Sequence, residues 1–193
     1  FVWPIGVIVF MICFSFYWLL RVLYFIVYLL ISWRRFTSDV NRDWFRMLQR
    51  DKPTWGSVHH LVFLPTYKES LDVLRQTFSG LRSCVYPNDR FTIVLAGEER
   101  AGREEFLARA ATIIEEFGSD FDILVTVHPS DLPSEMPGKG SNLHFAGPRA
   151  VEHIDARGIP RDSVIVSAFD VDTIVHSQYF ACLTHTFLSH PDR

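Results

Sequence analysis

From Phe1 to Trp33 the chain carries only three clearly polar side chains, Ser15, Arg21 and Ser32, while nearly all of its charge lies after Arg34. A helix needs roughly 20 apolar residues to cross a bilayer, and about 30 residues at 1.5 Å each reach roughly 45 Å, beyond the hydrocarbon core. The block therefore reads as membrane-spanning, tilted or emerging at one end. Arg21 is the awkward residue, because a guanidinium near the bilayer centre costs several kcal/mol unless it snorkels or meets another helix. Two short spans meeting at Arg21 are an alternative. One long helix is preferred, since no Gly, Pro or Asn near Arg21 supplies a turn. A secretory signal peptide fits less well, because the stretch is too long and lacks an Ala-x-Ala-like cleavage site.

The chain begins at Phe1 and ends at Arg193 without a C-terminal signature, the pattern expected of a piece of a longer protein. Three parts are expected: a transmembrane helix over 1–35, a juxtamembrane segment over 36–57 and a soluble part over 58–193. Arg34, Arg35 and Arg42 follow the apolar block with no comparable basic cluster before it, which places the remainder on the cytoplasmic face of an inner or plasma membrane. Between Phe36 and Ser57, aromatic and apolar residues alternate with Arg42, Arg46, Arg50 and Lys52. That pattern suits a helix lying in the membrane interface, and equally a linker helix packed on the domain. Cys13, Cys84 and Cys182 show neither Cys-x-x-Cys spacing nor a disulfide framework. A net charge of −3 and the lack of a basic, aromatic-interleaved stripe exclude nucleic acid as the expected partner.

Beyond residue 58 the hydrophobic period changes. Short apolar runs at His60–Pro65, Phe91–Ala96, Phe121–Val127 and Ser163–Phe169 read as strands. Helical spacing follows at Glu69–Leu81, Arg103–Phe117, Asn142–Ile154 and Ser177–Leu188. Strands apolar on both faces and alternating with helices predict an α/β fold, a mainly parallel sheet with helices on both faces. Ligands of such sheets sit beyond the carboxyl ends of the strands, which directs attention to the residues after Leu64, Leu95 and Ala168.

Asp170 and Asp172 follow directly on the fourth strand. Two carboxylates separated by one residue can act together on one hard divalent ion, Mg2+ or Mn2+, bridging it to a diphosphate. A capped turn is the plain alternative for an isolated Asp-x-Asp. After the first strand, Thr66 and Tyr67 place a hydroxyl and an aromatic face at the crevice, and Glu69 opens the next helix; Thr66 and Glu69 also suit a capping box. A Pro-rich loop ends in Met136-Pro137-Gly138-Lys139-Gly140-Ser141-Asn142, where glycines, a lysine and a helix start suit a phosphate. It is not a Walker A loop, because the first glycine and its spacer are missing.

Taken together, Pro65-Thr66-Tyr67-Lys68-Glu69, Gly138-Lys139-Gly140-Ser141-Asn142 and Phe169-Asp170-Val171-Asp172 resemble family 2 glycosyltransferases over roughly Val58 to Arg193. The resemblance implies a GT-A fold, a nucleotide-sugar donor (a uridine diphosphate sugar being the commonest), a divalent cation and inversion at the anomeric carbon. With the membrane helix, it is similar to the cellulose-synthase-like branch or to transferases acting on lipid carriers, so the implied acceptor is a polysaccharide or a lipid-linked sugar. It also implies that Thr66, Tyr67 and Glu69 hold the nucleoside, Lys139 approaches the diphosphate or nucleoside, Asp170 contacts the donor and Asp172 the metal. In place of the family's Asp-rich turn after the second strand stands Ala96-Gly97-Glu98-Glu99, and Glu98 is the expected substitute. The general base and the acceptor motif do not occur before Arg193, and neither His185 nor His190 is assigned catalysis. The rival readings are a degenerate or truncated nucleotide-sugar-binding module without turnover, and a nucleotidyltransferase, which would need a Gly-rich loop after the first strand.

Overall fold

A computed structural model describes residues 3–132 and 138–190, so Met136 and Pro137 of the predicted phosphate loop lie outside the described residues. The chain divides into two units, one ending at Arg42 and one beginning at Asp43. The first is a single helix, α1 (Pro4–Val40), 37 residues long and without a buried residue. Pro4 sits in its first turn, where a missing backbone N–H costs nothing. The helix is continuous through Arg21 and would extend about 55 Å. Among the described residues it is the one helix long and apolar enough to cross a membrane, a property shared by signal sequences.

The second unit opens with α2 (Trp44–Asp51), capped by Asp43, whose carboxylate accepts from the Arg46 amide at 3.1 Å. Leu48 is fully buried, and Trp44, Phe45 and Trp55 pack against the same core. Phe45 also donates its amide to Gln178 Oε1 at 3.0 Å. The helix read over 36–57 is thus divided: its first residues continue α1, and residues 44–51 form a separate helix whose aromatic side packs on the domain.

Four parallel strands follow: β1 (His59–Pro65), β2 (Phe91–Glu98), β3 (Asp122–His128) and β4 (Val164–Ala168), in the spatial order β3-β2-β1-β4. They alternate with α3 (Leu71–Arg82), α4 (Arg103–Phe117), α5 (Lys139–Ala156) and α6 (Tyr179–Ser189). The α/β architecture predicted from the hydrophobic period is the one observed. Along β1, Val62 and Leu64 meet Leu74, Phe78, Ile113 and Phe180 on one face, while Leu61 and Phe63 meet Ala146, Ala150 and Ile154 of α5 on the other. Each Val, Leu, Ile or Phe among them contributes about 1.5–3 kcal/mol when fully buried. The α5 face is covered only in part: Val166 of the edge strand β4 is 62% exposed above a groove lined by Leu61, Phe63, Leu143 and Val151.

Several boundaries differ from the sequence reading by one to three residues, and three of them bear on the site. Strand β2 runs on through Gly97 and Glu98, which pair with Val127 and His128, because backbone pairing continues where the apolar run stops. Helix α5 begins at Lys139 rather than Asn142. The capping box of Thr66 and Glu69 is not formed. The chain first makes a turn over 66–70, and Ser70 is the N-cap of α3, accepting from the Val73 amide.

Candidate functional site

The chain steps from β1 to β2 and β3 on one side, then crosses to β4 on the other, so the order of the sheet reverses between β1 and β4. Parallel sheets bind ligands at such switch points, beyond the strand carboxyl ends. A cavity of about 280 Å3 lies there, with Thr66, Tyr67 and Glu69 from the β1 exit, Glu98 and Arg100 from the end of β2, Lys139 and Asn142 from the start of α5, and Asp170 from the β4 exit. Six of the seven predicted site residues line it; Asp172 does not.

At the β1 exit, Glu69 Oε2 accepts from the Tyr67 amide at 2.6 Å and closes the turn that presents the Tyr67 ring, 39% exposed. The Thr66 hydroxyl is less available than predicted: it is buried and donates to the Ala96 carbonyl at 3.3 Å, leaving its oxygen able only to accept. The same carbonyl accepts the Thr66 amide at 2.8 Å and Asn142 Nδ2 at 2.7 Å. Ala96 therefore ties the β1 exit and the start of α5 to β2.

Glu98 is buried and ion-paired with Arg100, whose guanidinium lies 5.1 Å from the Tyr67 ring centre. A short helical turn at Glu99–Ala101 folds Arg100 back to reach both. Glu99 points elsewhere, accepting from the amide and hydroxyl of Ser130 at 3.0 and 3.1 Å; these bonds hold its carboxyl below the usual range.

At the β4 exit, the Phe169 amide donates to the Phe63 carbonyl at 3.0 Å, and the Thr173 amide closes a turn on the Asp170 carbonyl at 2.9 Å. Val171, 3% exposed, sinks into the core, and its carbonyl accepts from the Thr77 hydroxyl. Burial of the middle residue turns both flanking aspartates outward. Asp170 Oδ1 accepts from Lys139 Nζ at 2.5 Å. Gly138 precedes α5 with no side-chain cap among the described residues, so the positive end of the helix opens on the cavity. A Cβ on Gly138 or Gly140 would meet no atom of the described residues within 4 Å, so packing among them does not require either glycine.

The cavity lining holds three carboxylates, Glu69, Glu98 and Asp170, against two cations, Arg100 and Lys139. Among the described residues no three His, Cys, Asp or Glu side chains converge as a closed metal site. A hard cation such as Mg2+ or Mn2+ needs no such trio, because it is held through one or two carboxylates with water and phosphate oxygens as its other ligands. Asp170 already takes a cation, the Lys139 ammonium, and a single carboxylate at the cavity is the kind of donor such an ion uses; Asp172 is exposed on the same turn but outside the cavity lining.

Arg100 lies outside the sequence motifs, and Asn142 stands in them only as the last residue of the loop leading into α5, with no role of its own. Asn142, 1% exposed, continues the buried stripe of α5 formed by Ala146, Ala150 and Ile154, and a polar residue on an apolar stripe was the available signal. Arg100 carries no comparable signal. Of the late histidines, His185 packs on Trp44 with ring centres 5.6 Å apart, and neither it nor His190 lines the cavity.

The fold and this cavity define a doubly wound, parallel α/β domain with a polar cavity at its switch point. No family model and no curated protein matches the chain. Among solved structures, S. aureus TarS, residues 1–349 in complex with UDP-GlcNAc, aligns with a TM-score of 0.46 and 16% identity over 69% of this chain and 32% of that one. At that level the likeness carries no argument about function, and the chain spans about a third of that structure's length.

Proposed function

We propose that the chain is the donor-binding part of a membrane-anchored, metal-dependent glycosyltransferase that takes a nucleotide sugar, with a uridine diphosphate sugar as the first donor to test. The observation that carries the reading is the convergence of three separate sequence motifs, from the β1 exit, the α5 start and the β4 exit, on one cavity at the switch point. In this reading the base stacks on Tyr67 and its edge meets the buried Glu98 carboxylate, while Arg100 adds a donor beside it. The diphosphate lies at the N-terminus of α5 against Lys139, where a helix end and a lysine both favour negative charge. Asp170 and Asp172 would hold Mg2+ or Mn2+, which when bound neutralises charge on the departing diphosphate. The reading further assigns inversion at the anomeric carbon, a polysaccharide or lipid-linked acceptor, and a cytoplasmic site at the inner or plasma membrane with α1 as the anchor. The catalytic base is unassigned.

Calorimetric titration of uridine diphosphate into the whole chain in detergent, with and without Mn2+ and beside Asp172→Ala, tests it. The expected result is binding that needs the metal and is lost in the variant. A folded chain that takes up no uridine diphosphate under either condition would sink the reading.

A further inference from the structure

Resting on that reading, we infer that Lys139 is a built-in counter-ion of Asp170 that gives way when a nucleoside diphosphate binds, so that cation binding and diphosphate binding are coupled through exchange of one lysine. The two residues come from different elements, the first position of α5 and the turn after β4, and meet at 2.5 Å across the cavity. The pair differs in kind from its neighbour in the same lining. The Glu98 side chain is only 8% exposed beneath an Arg100 side chain that is 38% exposed, so one end of that pair is buried, whereas the Lys139 and Asp170 side chains are 47% and 71% exposed and both ends face solvent. Exposed pairs are weak and exchange readily.

With no ligand bound, the ammonium and the positive end of α5 together repel a free divalent ion from Asp170. A diphosphate arriving at the helix end offers Lys139 a more highly charged partner. The lysine then moves to phosphate, Asp170 is released, and the cation gains both the carboxylate and phosphate oxygens. Such coupling is reciprocal: the cation must raise diphosphate affinity by the factor by which diphosphate raises cation affinity.

The test is Mn2+ titration of the whole chain in detergent micelles, followed by the electron paramagnetic resonance of free Mn2+, for the wild type, Lys139→Met and Lys139→Arg, with and without uridine diphosphate. Without nucleotide, Lys139→Met should bind Mn2+ about two- to five-fold more tightly than the wild type, the range an exposed pair supports. Lys139→Arg, which keeps the charge, should stay near the wild type. Uridine diphosphate should then raise Mn2+ affinity more in the wild type than in Lys139→Met. Unchanged or weaker Mn2+ binding by Lys139→Met, in a protein whose wild type binds uridine diphosphate with Mn2+, overturns the exchange and leaves the donor site standing. Failure of the wild type to bind uridine diphosphate at all overturns the donor-site reading, and the exchange with it.

Discussion

Asn142 donates its side-chain amide to the main-chain carbonyl of Ala96 at 2.7 Å, binding the first turn of α5 to the middle of the sheet. That carbonyl also holds Thr66, so one acceptor sets the spacing between the β1 exit and Lys139. Removing a buried side-chain hydrogen bond of this kind costs about 0.5–1.5 kcal/mol. Asn142→Ala should therefore lower stability by roughly that amount, read as a shift in urea midpoint at unchanged slope, and should also weaken uridine diphosphate binding. Asn142→Asp should be worse at neutral pH, where an ionised carboxylate would face a carbonyl, and should recover as acid restores a donating hydroxyl. Equal stability of the two variants at every pH would refute the geometry.

Gly97 is required by packing. A Cβ there would stand 2.5 Å from the ring of Phe106, which crosses the strand one residue before Glu98. Gly97→Ala must push α4 outward or bend the end of β2, at a cost of about 1–3 kcal/mol typical of overpacked cores. Combining it with Phe106→Leu, which withdraws the offending ring atoms, should recover part of the loss. Additive losses in this double-mutant cycle would show that the two positions do not meet.

The contrast between strand interiors and strand ends explains how far the sequence could be read. Leu61-Val62-Phe63-Leu64 and Ile93-Val94-Leu95 announce themselves because both faces of a covered parallel strand are apolar. Gly97 and Glu98 break that pattern although their backbones stay in the ladder, so β2 ended too early in the reading. Lys139 and Gly140 hid the start of α5 in the same way, being poor markers of an apolar stripe. The candidate site is legible as three local motifs, two attached to strand exits and one to the start of a helix. Arg100 is not, because only the folded turn after β2 brings it to Tyr67.

Glu98 and Arg100 make a separable prediction about the base. A buried carboxylate accepting from a ligand N–H is a charge-assisted bond worth about 1.5–3 kcal/mol. Glu98→Gln keeps the size of the side chain and loses the charge, so uridine diphosphate affinity should fall about 10- to 100-fold with little change in melting temperature. Isothermal calorimetry beside a thermal melt checks both halves. Undiminished affinity would remove Glu98 from the base subsite while leaving Lys139 and Asp170 in theirs.

His60 makes the domain acid-sensitive from within. Its ring is fully buried among Tyr86, Phe91 and Phe180, with Nε2 bonded to the Thr184 hydroxyl at 2.9 Å and Nδ1 without a partner among the described residues. Burial, with a smaller contribution from the neighbouring His59, pushes its pKa down from 6.5 to about 3. Burial lowers the pKa of His59 in the same direction. Because these values fall below those of the unfolded chain, the unfolded state binds more protons at mildly acidic pH, and stability rises with pH. The contribution of His60 is complete above about pH 6.5 and is lost as pH falls towards about 3, at up to about 1.4 kcal/mol per pH unit. Urea unfolding followed by the fluorescence of Trp44 and Trp55 should therefore show a lower midpoint at pH 5 than at pH 7. The double variant His60→Phe with Thr184→Val, which removes both polar partners together, should flatten the His60 part of that slope. An equally steep profile in the double variant would place the acid sensitivity in other groups.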